Sequence, residues 1–197
     1  KVPENLWDWE GSITDGDAWM KRQFEFGILN IPNPAYTNAA HKNGVMSIAC
    51  IYFDQAFREG QTVDELLIQD EDGRFIIADK LIEMAEYFGY DGYFFNCEEA
   101  PYSYDVLKQW LYQLESAGLY TQYYNTNSTF NASKAEWLYS DVDGDGVKEK
   151  IQDSVFVNYS SFSNVDSQIQ FAEENGYDPF EQVFFGVEAN QGGFNGG

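Results

Sequence analysis

The run Tyr90-Asp91-Gly92-Tyr93-Phe94-Phe95-Asn96-Cys97-Glu98-Glu99 carries an apolar, aromatic strand into a cluster of polar groups. Strand side chains alternate, so Asn96 and Glu98 share one face and Cys97 and Glu99 take the other. An amide and a carboxyl side by side in an aromatic pocket suit one kind of glycosidic cleavage. Many glycosidases use two carboxylates, one as acid and one as nucleophile or base. Where the sugar carries a 2-acetamido group, its own carbonyl can attack the anomeric carbon and form an oxazolinium ion. The protein then supplies one acid/base and one group that orients and polarises the acetamide N–H. The side-chain oxygen of Asn96 fits the second task. Glu98 fits the first if an apolar site raises its pKa toward neutrality. The plain alternative is a strand-end Asn followed by two solvated glutamates.

These residues need elements to position them. Strand-like runs, aromatic or β-branched and bounded by Gly, Asp or Asn, cover 5–9, 45–53, 92–96, 119–124, 154–158 and 183–187. Between them, Leu81, Met84, Ala85 and Phe88 fall on one helical face, and so do Leu107, Trp110, Leu111 and Leu114. Gly89 and Gly118 stand where left-handed C-cap residues belong. Val63, Leu66 and Leu67 suggest a shorter helix, and 35–41 and 166–174 two more. Near-continuous apolar strands alternating with helices argue a parallel sheet covered by helices. The expected fold class is α/β, a (β/α)8 TIM-type barrel. A full barrel has eight units and roughly 250 residues, so about six units are expected here. The expectation is a single catalytic barrel domain over 1–197, part of a longer protein. In such barrels active sites sit at the C-terminal strand ends, where Asn96 and Glu98 fall. An open doubly wound sheet is the alternative fold, but it calls for a Gly-rich phosphate loop after its first strand. The sequence has none.

The 197 residues suffice for one domain with a sizeable core. At 18% aromatic, the chain is too rich in rings for a disordered one. A formal charge of -22 repels phosphate backbones and anionic lipid heads, so no nucleic-acid partner is expected. No apolar run approaches the roughly 20 residues of a transmembrane helix, and no membrane insertion is expected. A neutral ligand fits, and aromatic faces suit the apolar faces of sugar rings. Cys50 and Cys97 lie in strand-like runs and read as buried free thiols. The single histidine, His41, precedes a strand start at the barrel end away from the site, which suggests a structural role. One histidine and two thiols do not make a zinc centre. No metal or cofactor is expected. Asp141-Val142-Asp143-Gly144-Asp145-Gly146 opens like a calcium loop, yet an EF-hand has Glu at position twelve, where Gln152 stands. It reads as a charged loop, with calcium as the alternative.

Several stretches resemble, in order, the glycoside hydrolase family 85 endo-β-N-acetylglucosaminidases. They are the run from Ile31 through Ala39-Ala40-His41-Lys42-Asn43-Gly44-Val45, Asp70-Glu71-Asp72-Gly73-Arg74-Phe75, and Phe88 through Asn96 with Glu98. Tyr123-Tyr124-Asn125 and Gly186-Val187-Glu188-Ala189-Asn190-Gln191-Gly192-Gly193 follow. The resemblance implies a (β/α)8 barrel that hydrolyses the β-1,4 bond between the two core N-acetylglucosamines of an N-glycan, with retention. It implies that Glu98 is the general acid/base, that Asn96 orients the acetamide and that Tyr124 assists it. Trp9, Tyr52, Asn158, Glu188 and Gln191 are the substrate-binding residues it implies. The partner would be an N-glycan or glycoprotein, and the location secreted or cell-surface. The family usually has Gln where Cys97 stands, Thr where Glu99 stands, Asp where Asn125 stands and a Trp near Ser160 and Ser161. Glu99 would then add charge beside Glu98 and raise its pKa. The alternatives are a glycan-binding barrel without turnover and a chitinase-type hydrolase. The acidic run of the latter would need Asp where Phe94 and Asn96 stand.

Overall fold

The aromatic and β-branched runs pair into a sheet, and the amphipathic runs pack on one face of it. A computed structural model describes residues 29–30, 32–53, 62–124, 129–158 and 164–187. The chain runs β1 (Leu29–Asn30), α1 (Pro34–Lys42), β2 (Ile48–Phe53), a 3₁₀ turn (Val63–Leu67), α2 (Ile76–Phe88) and β3 (Gly92–Cys97). It continues through α3 (Tyr104–Ser116), β4 (Tyr120–Tyr124), α4 (Ala132–Ala135), β5 (Tyr139–Ser140), β6 (Glu149–Lys150), β7 (Ser154–Val157), α5 (Val165–Glu174) and β8 (Val183–Phe185). The sheet order is β1-β2-β3-β4-β7-β8, and β5 and β6 form a separate antiparallel ribbon. From β2 to β8 every pair is parallel with a helical crossover, an arc of a (β/α)8 TIM-type barrel.

The differences from expectation are local. β1 runs antiparallel to β2, with Leu29 opposite Ile51 and Asn30 opposite Cys50. Two residues are too few to show a period, so nothing in the sequence signalled it. The segment around Val63, Leu66 and Leu67 is a 3₁₀ turn. The strand-like run at 5–9 lies outside the described residues. Helix ends follow their local chemistry. Asn33 caps α1, its side chain accepting from the Ala35 N–H at 2.9 Å, with Pro34 in the first turn. Gly89 closes α2 in the left-handed region at φ 75°, its N–H donating to Ala85 O.

The core lies between sheet and helices. On β2, Ala49, Ile51 and Phe53 are at most 2% exposed, while Ile48, Cys50 and Tyr52 are half-buried. The first set joins Tyr93, Phe95, Cys97, Tyr123, Val155 and Val157 against Leu81, Ala85, Leu107, Trp110 and Leu114. Burying each large apolar side chain stabilises the fold by about 1.5–3 kcal/mol. The second set lines the opposite, concave face. At the N-terminal strand ends, Asp91 Oδ2 meets His41 Nε2 at 2.9 Å and accepts from the Ser47 N–H at 2.6 Å. His41 thus ties α1 to the entries of β2 and β3. On the β5–β6 loop the carboxylates of Asp141, Asp143 and Asp145 converge within 4.8 Å, and those of Asp141 accept the Gly144 and Gly146 N–H groups.

Two contacts in this layer generate tests. A Cβ at Gly92 would lie 1.8 Å from Tyr120 O, the backbone of the neighbouring strand. Gly92→Ala forces β3 and β4 apart and should cost on the order of 3 kcal/mol or more, read as a fall in the denaturant midpoint. An unchanged midpoint would show that the strands do not approach this closely. Lys134 on α4 is fully buried, its ammonium 5.8 Å from the Tyr123 ring centre. Burial lowers its pKa from the ordinary 10.5 to about 7. Between those values the unfolded chain holds a proton that the native chain lacks, so stability rises with pH across the window. The contribution is lost as pH falls through about 7. Urea midpoints of the wild type and Lys134→Met should therefore diverge across this range. Parallel curves would show that Lys134 keeps its charge.

Candidate functional site

Parallel register assembles the site. Tyr52 pairs with Asn96, Asn96 with Tyr124, Tyr124 with Phe156 and Phe156 with Phe184. All five alternate away from the helix-facing set, so they form one row across the concave face. Two residues further on, Glu98 and Asn158 follow β3 and β7 on the same face. The Glu98 N–H donates to Phe53 O at 2.8 Å, so its backbone prolongs the β2–β3 ladder while its side chain is exposed.

Two acceptors in this region stand out energetically. Asn96 Oδ1 and Asn158 Oδ1 are buried and have no hydrogen-bond partner among the described residues. A buried polar atom left unpaired costs about 1–3 kcal/mol. Such atoms at barrel strand ends are poised to receive N–H or O–H groups of a ligand.

Beneath this row lie Cys50, Phe94, Gln122 and Ser154. Gln122 Nε2 donates to Ser154 Oγ at 2.9 Å, and Tyr120 OH meets the same oxygen at 2.7 Å, so these polar groups hold one another. The Phe156 ring lies 5.5 Å from Phe94 and 5.7 Å from Tyr124, giving the cleft an aromatic floor. A Cβ at Gly186 would stand 2.7 Å from the Phe156 ring, so glycine there makes room for the floor. Sequence reasoning passed over Phe94, Phe156 and Gly186. Alternation back from Asn96 would have found Phe94, whereas Phe156 needs the β4–β7 register. The half-buried Cys50 thiol is pushed up to about 11 by burial, which suits an inert thiol.

Cys97 and Glu99 face the helices, as alternation requires. Cys97 Sγ donates to the Glu99 carbonyl at 2.9 Å, and Glu99 Oε1 accepts from the Val63 N–H at 3.3 Å. This corrects the expectation that Glu99 loads the cleft with charge beside Glu98: its carboxylate is buried across the strand. Of the expected site residues, the structure brings Glu98, Asn96, Tyr124, Tyr52 and Asn158 to one face. Trp9, Glu188 and Gln191 lie outside the described residues, as do Asn125, Ser160 and Ser161. At the other end of the strands is a concavity lined by Met46, Tyr120, Tyr139, Lys150, Asp153 and Phe184. Two of its charged groups hold one another: Lys150 bonds Asp153 at 2.7 Å, and Asp153 accepts the Thr121 N–H.

A parallel α/β barrel arc with an amide and a carboxyl at adjacent positions of one strand-end face has the arrangement expected of the glycoside hydrolases. Comparison with known proteins places it more closely. The description Glycosyl hydrolase family 85 matches residues 17–197, and the chain belongs to that family. It is 26% identical over 147 residues to the cytosolic endo-β-N-acetylglucosaminidase of Mus musculus, covering 70% of this chain and 19% of that protein. The cytosolic endo-β-N-acetylglucosaminidase of Danio rerio is 35% identical over 75 residues, 38% of this chain and 10% of its own length. Among solved structures, the glycoside hydrolase domain of Endo-D (Spr0440) from Streptococcus pneumoniae R6 superposes with a TM-score of 0.63. The two are 28% identical, over 86% of this chain and 29% of that one. The chain thus spans at most about a fifth of the curated relatives it matches. These relatives also correct the expected location. The curated ones are named cytosolic enzymes, so the family likeness points away from a secreted or cell-surface protein.

Proposed function

We propose that this chain carries the catalytic centre of an endo-β-N-acetylglucosaminidase. It would cleave the β-1,4 bond between the two core N-acetylglucosamines of an N-glycan or glycoprotein by substrate-assisted, retaining hydrolysis. Glu98 donates a proton to the glycosidic oxygen. The carbonyl oxygen of the 2-acetamido group attacks the anomeric carbon as the glycosidic bond breaks, giving an oxazolinium ion. Asn96 Oδ1 accepts the acetamide N–H and directs the carbonyl, with Tyr124 beside it. Glu98, now a carboxylate, takes a proton from water, which opens the ring from the face that the leaving group left. Two inversions give net retention. Tyr52 and Asn158, together with Trp9, Glu188 and Gln191, hold the sugars.

The observation that carries this reading is the buried, unpartnered Asn96 Oδ1 next to Glu98 on one face, between Tyr52 and Tyr124. An acetamide N–H is a donor of the right kind to satisfy that oxygen. The aromatic floor offers the sugar an apolar surface that also removes water from Glu98 when the cleft is filled.

The experiment uses the full-length protein on a high-mannose and a complex glycoprotein, with mass measurement of the product. The expected product retains a single N-acetylglucosamine on asparagine; an intact glycoprotein would leave only a glycan-binding barrel. Glu98→Gln should lower hydrolysis by a factor on the order of 10²–10⁴, and retention of most activity would remove Glu98 from the mechanism. Asn96→Ala should impair hydrolysis of the glycan far more than use of a preformed sugar oxazoline. Equal losses on both substrates would contradict the role of Asn96.

A further inference from the structure

We infer that Glu99 is a positioning residue for Glu98, acting by pinning the loop after β3 to the 3₁₀ turn that follows β2. The inference rests on the catalytic role proposed above for Glu98. The first N–H groups of a helical turn lack partners within it, and a side chain at the cap position usually supplies one. Here the cap residue, Thr62, makes no side-chain cap bond. The Val63 N–H is instead taken by Glu99 Oε1, from a residue 36 positions later in the chain.

Glu99 is only 7% exposed. A carboxylate is rarely placed so deep without a partner, because burial of an unpaired charge is strongly unfavourable. The otherwise uncapped Val63 N–H gives that carboxylate a backbone donor. The tie is reciprocal. Asp64 Oδ1, on the turn, accepts from the Tyr102 N–H in the loop after β3 at 2.8 Å. One carboxylate therefore crosses in each direction between the same two segments.

These bonds bracket the peptide units of Glu98. Its own N–H is held by Phe53 O of β2, and the next carbonyl, that of Glu99, accepts from Cys97 Sγ. Cys97 and Glu99 are both buried on the helix side, and Glu98 alone of the three is exposed. Rotation of residue 98 away from the Asn96 row would break the Phe53 bond, the Cys97 bond or the Val63 bond. An acid/base displaced by about 1 Å can lose on the order of 100-fold in rate, so such a bracket matters to turnover without touching substrate.

The test compares Glu99→Ala, Glu99→Asp and Glu99→Gln in the full-length protein. Gln keeps an oxygen within reach of Val63. Asp keeps the charge but draws it back by a methylene, and it serves if the Ala variant fails to fold. The expected result is a kcat about 10- to 100-fold lower for Ala and Asp with little change in KM, and near-normal kcat for Gln. Hydrogen exchange at the Val63 amide should quicken in Ala and Asp but not in Gln. Undiminished kcat in both Ala and Asp, a loss that falls on KM, or a Gln variant as slow as Ala would each overturn the positioning role alone. A wild type that releases no glycan would overturn the catalytic reading and the positioning role with it, so the two failures are distinguishable.

Discussion

The site depends on the parallel ladder that β3 makes with β2 and β4. Tyr52, Asn96 and Tyr124 are opposite one another in that ladder, and the Glu98 N–H extends it to Phe53 O. A strand reverses its side chains at every residue, so a slip of one position would turn Asn96 and Glu98 into the helices and Cys97 and Glu99 into the cleft. The slip is prevented from the helix side. Phe95 packs 5.4 Å from Trp110 and 5.6 Å from Tyr123, and Tyr123 stacks on Trp137 at 4.1 Å. Packed rings behind the site thus hold the register that sets Asn96 and Glu98 on the concave face.

The two faces of the sheet are unlike in kind. The helix side is largely apolar, and its buried carboxylate, Glu99, has a backbone partner, although Trp110 Nε1 and Thr121 Oγ1 are buried there without one among the described residues. The concave side keeps Asn96 Oδ1 and Asn158 Oδ1 out of water without a partner among the described residues. Unpaired acceptors weaken the fold by about 1–3 kcal/mol each, which the apolar layer behind them is large enough to offset. Burial of Lys134 on the helix side carries a desolvation cost, lessened by its loss of charge near neutral pH.

Short-range pattern was enough to place Asn96 and Glu98 on one face, because alternation needs no partner. Periodicity of Leu81, Met84, Ala85 and Phe88, and of Leu107, Trp110, Leu111 and Leu114, likewise located α2 and α3, and Gly89 its cap. Features set by distant partners were not legible. The edge strand β1 has no pattern of its own, and the floor made by Phe156 and Gly186 appears only once β7 and β8 are paired. Glu99 read as added charge beside Glu98, because Val63, whose N–H it accepts, is separated from it by a helix and a strand. Location left no physical trace in these residues, and the expectation drawn from resemblance gave way to the cytosolic relatives.

The composition of the concave row also bears on which hydrolytic route is open. A retaining enzyme with its own nucleophile sets two carboxyl groups about 5–5.5 Å apart, and an inverting one about 6.5–9.5 Å apart. Adjacent strands are about 4.8 Å apart, so a partner for Glu98 would be sought on β2 or β4. The described concave positions there are Ile48, Cys50 and Tyr52 on one side and Tyr120, Gln122 and Tyr124 on the other, none of them a carboxylate, while Asp54 and Thr126, next in the alternation, lie outside the described residues. The place next to Glu98 on its own strand is taken by an amide whose oxygen is buried and unpaired. An amide oxygen is a poor nucleophile but a good acceptor for an N–H, and in the substrate-assisted route proposed above a 2-acetamido sugar would bring both that N–H and the nucleophile.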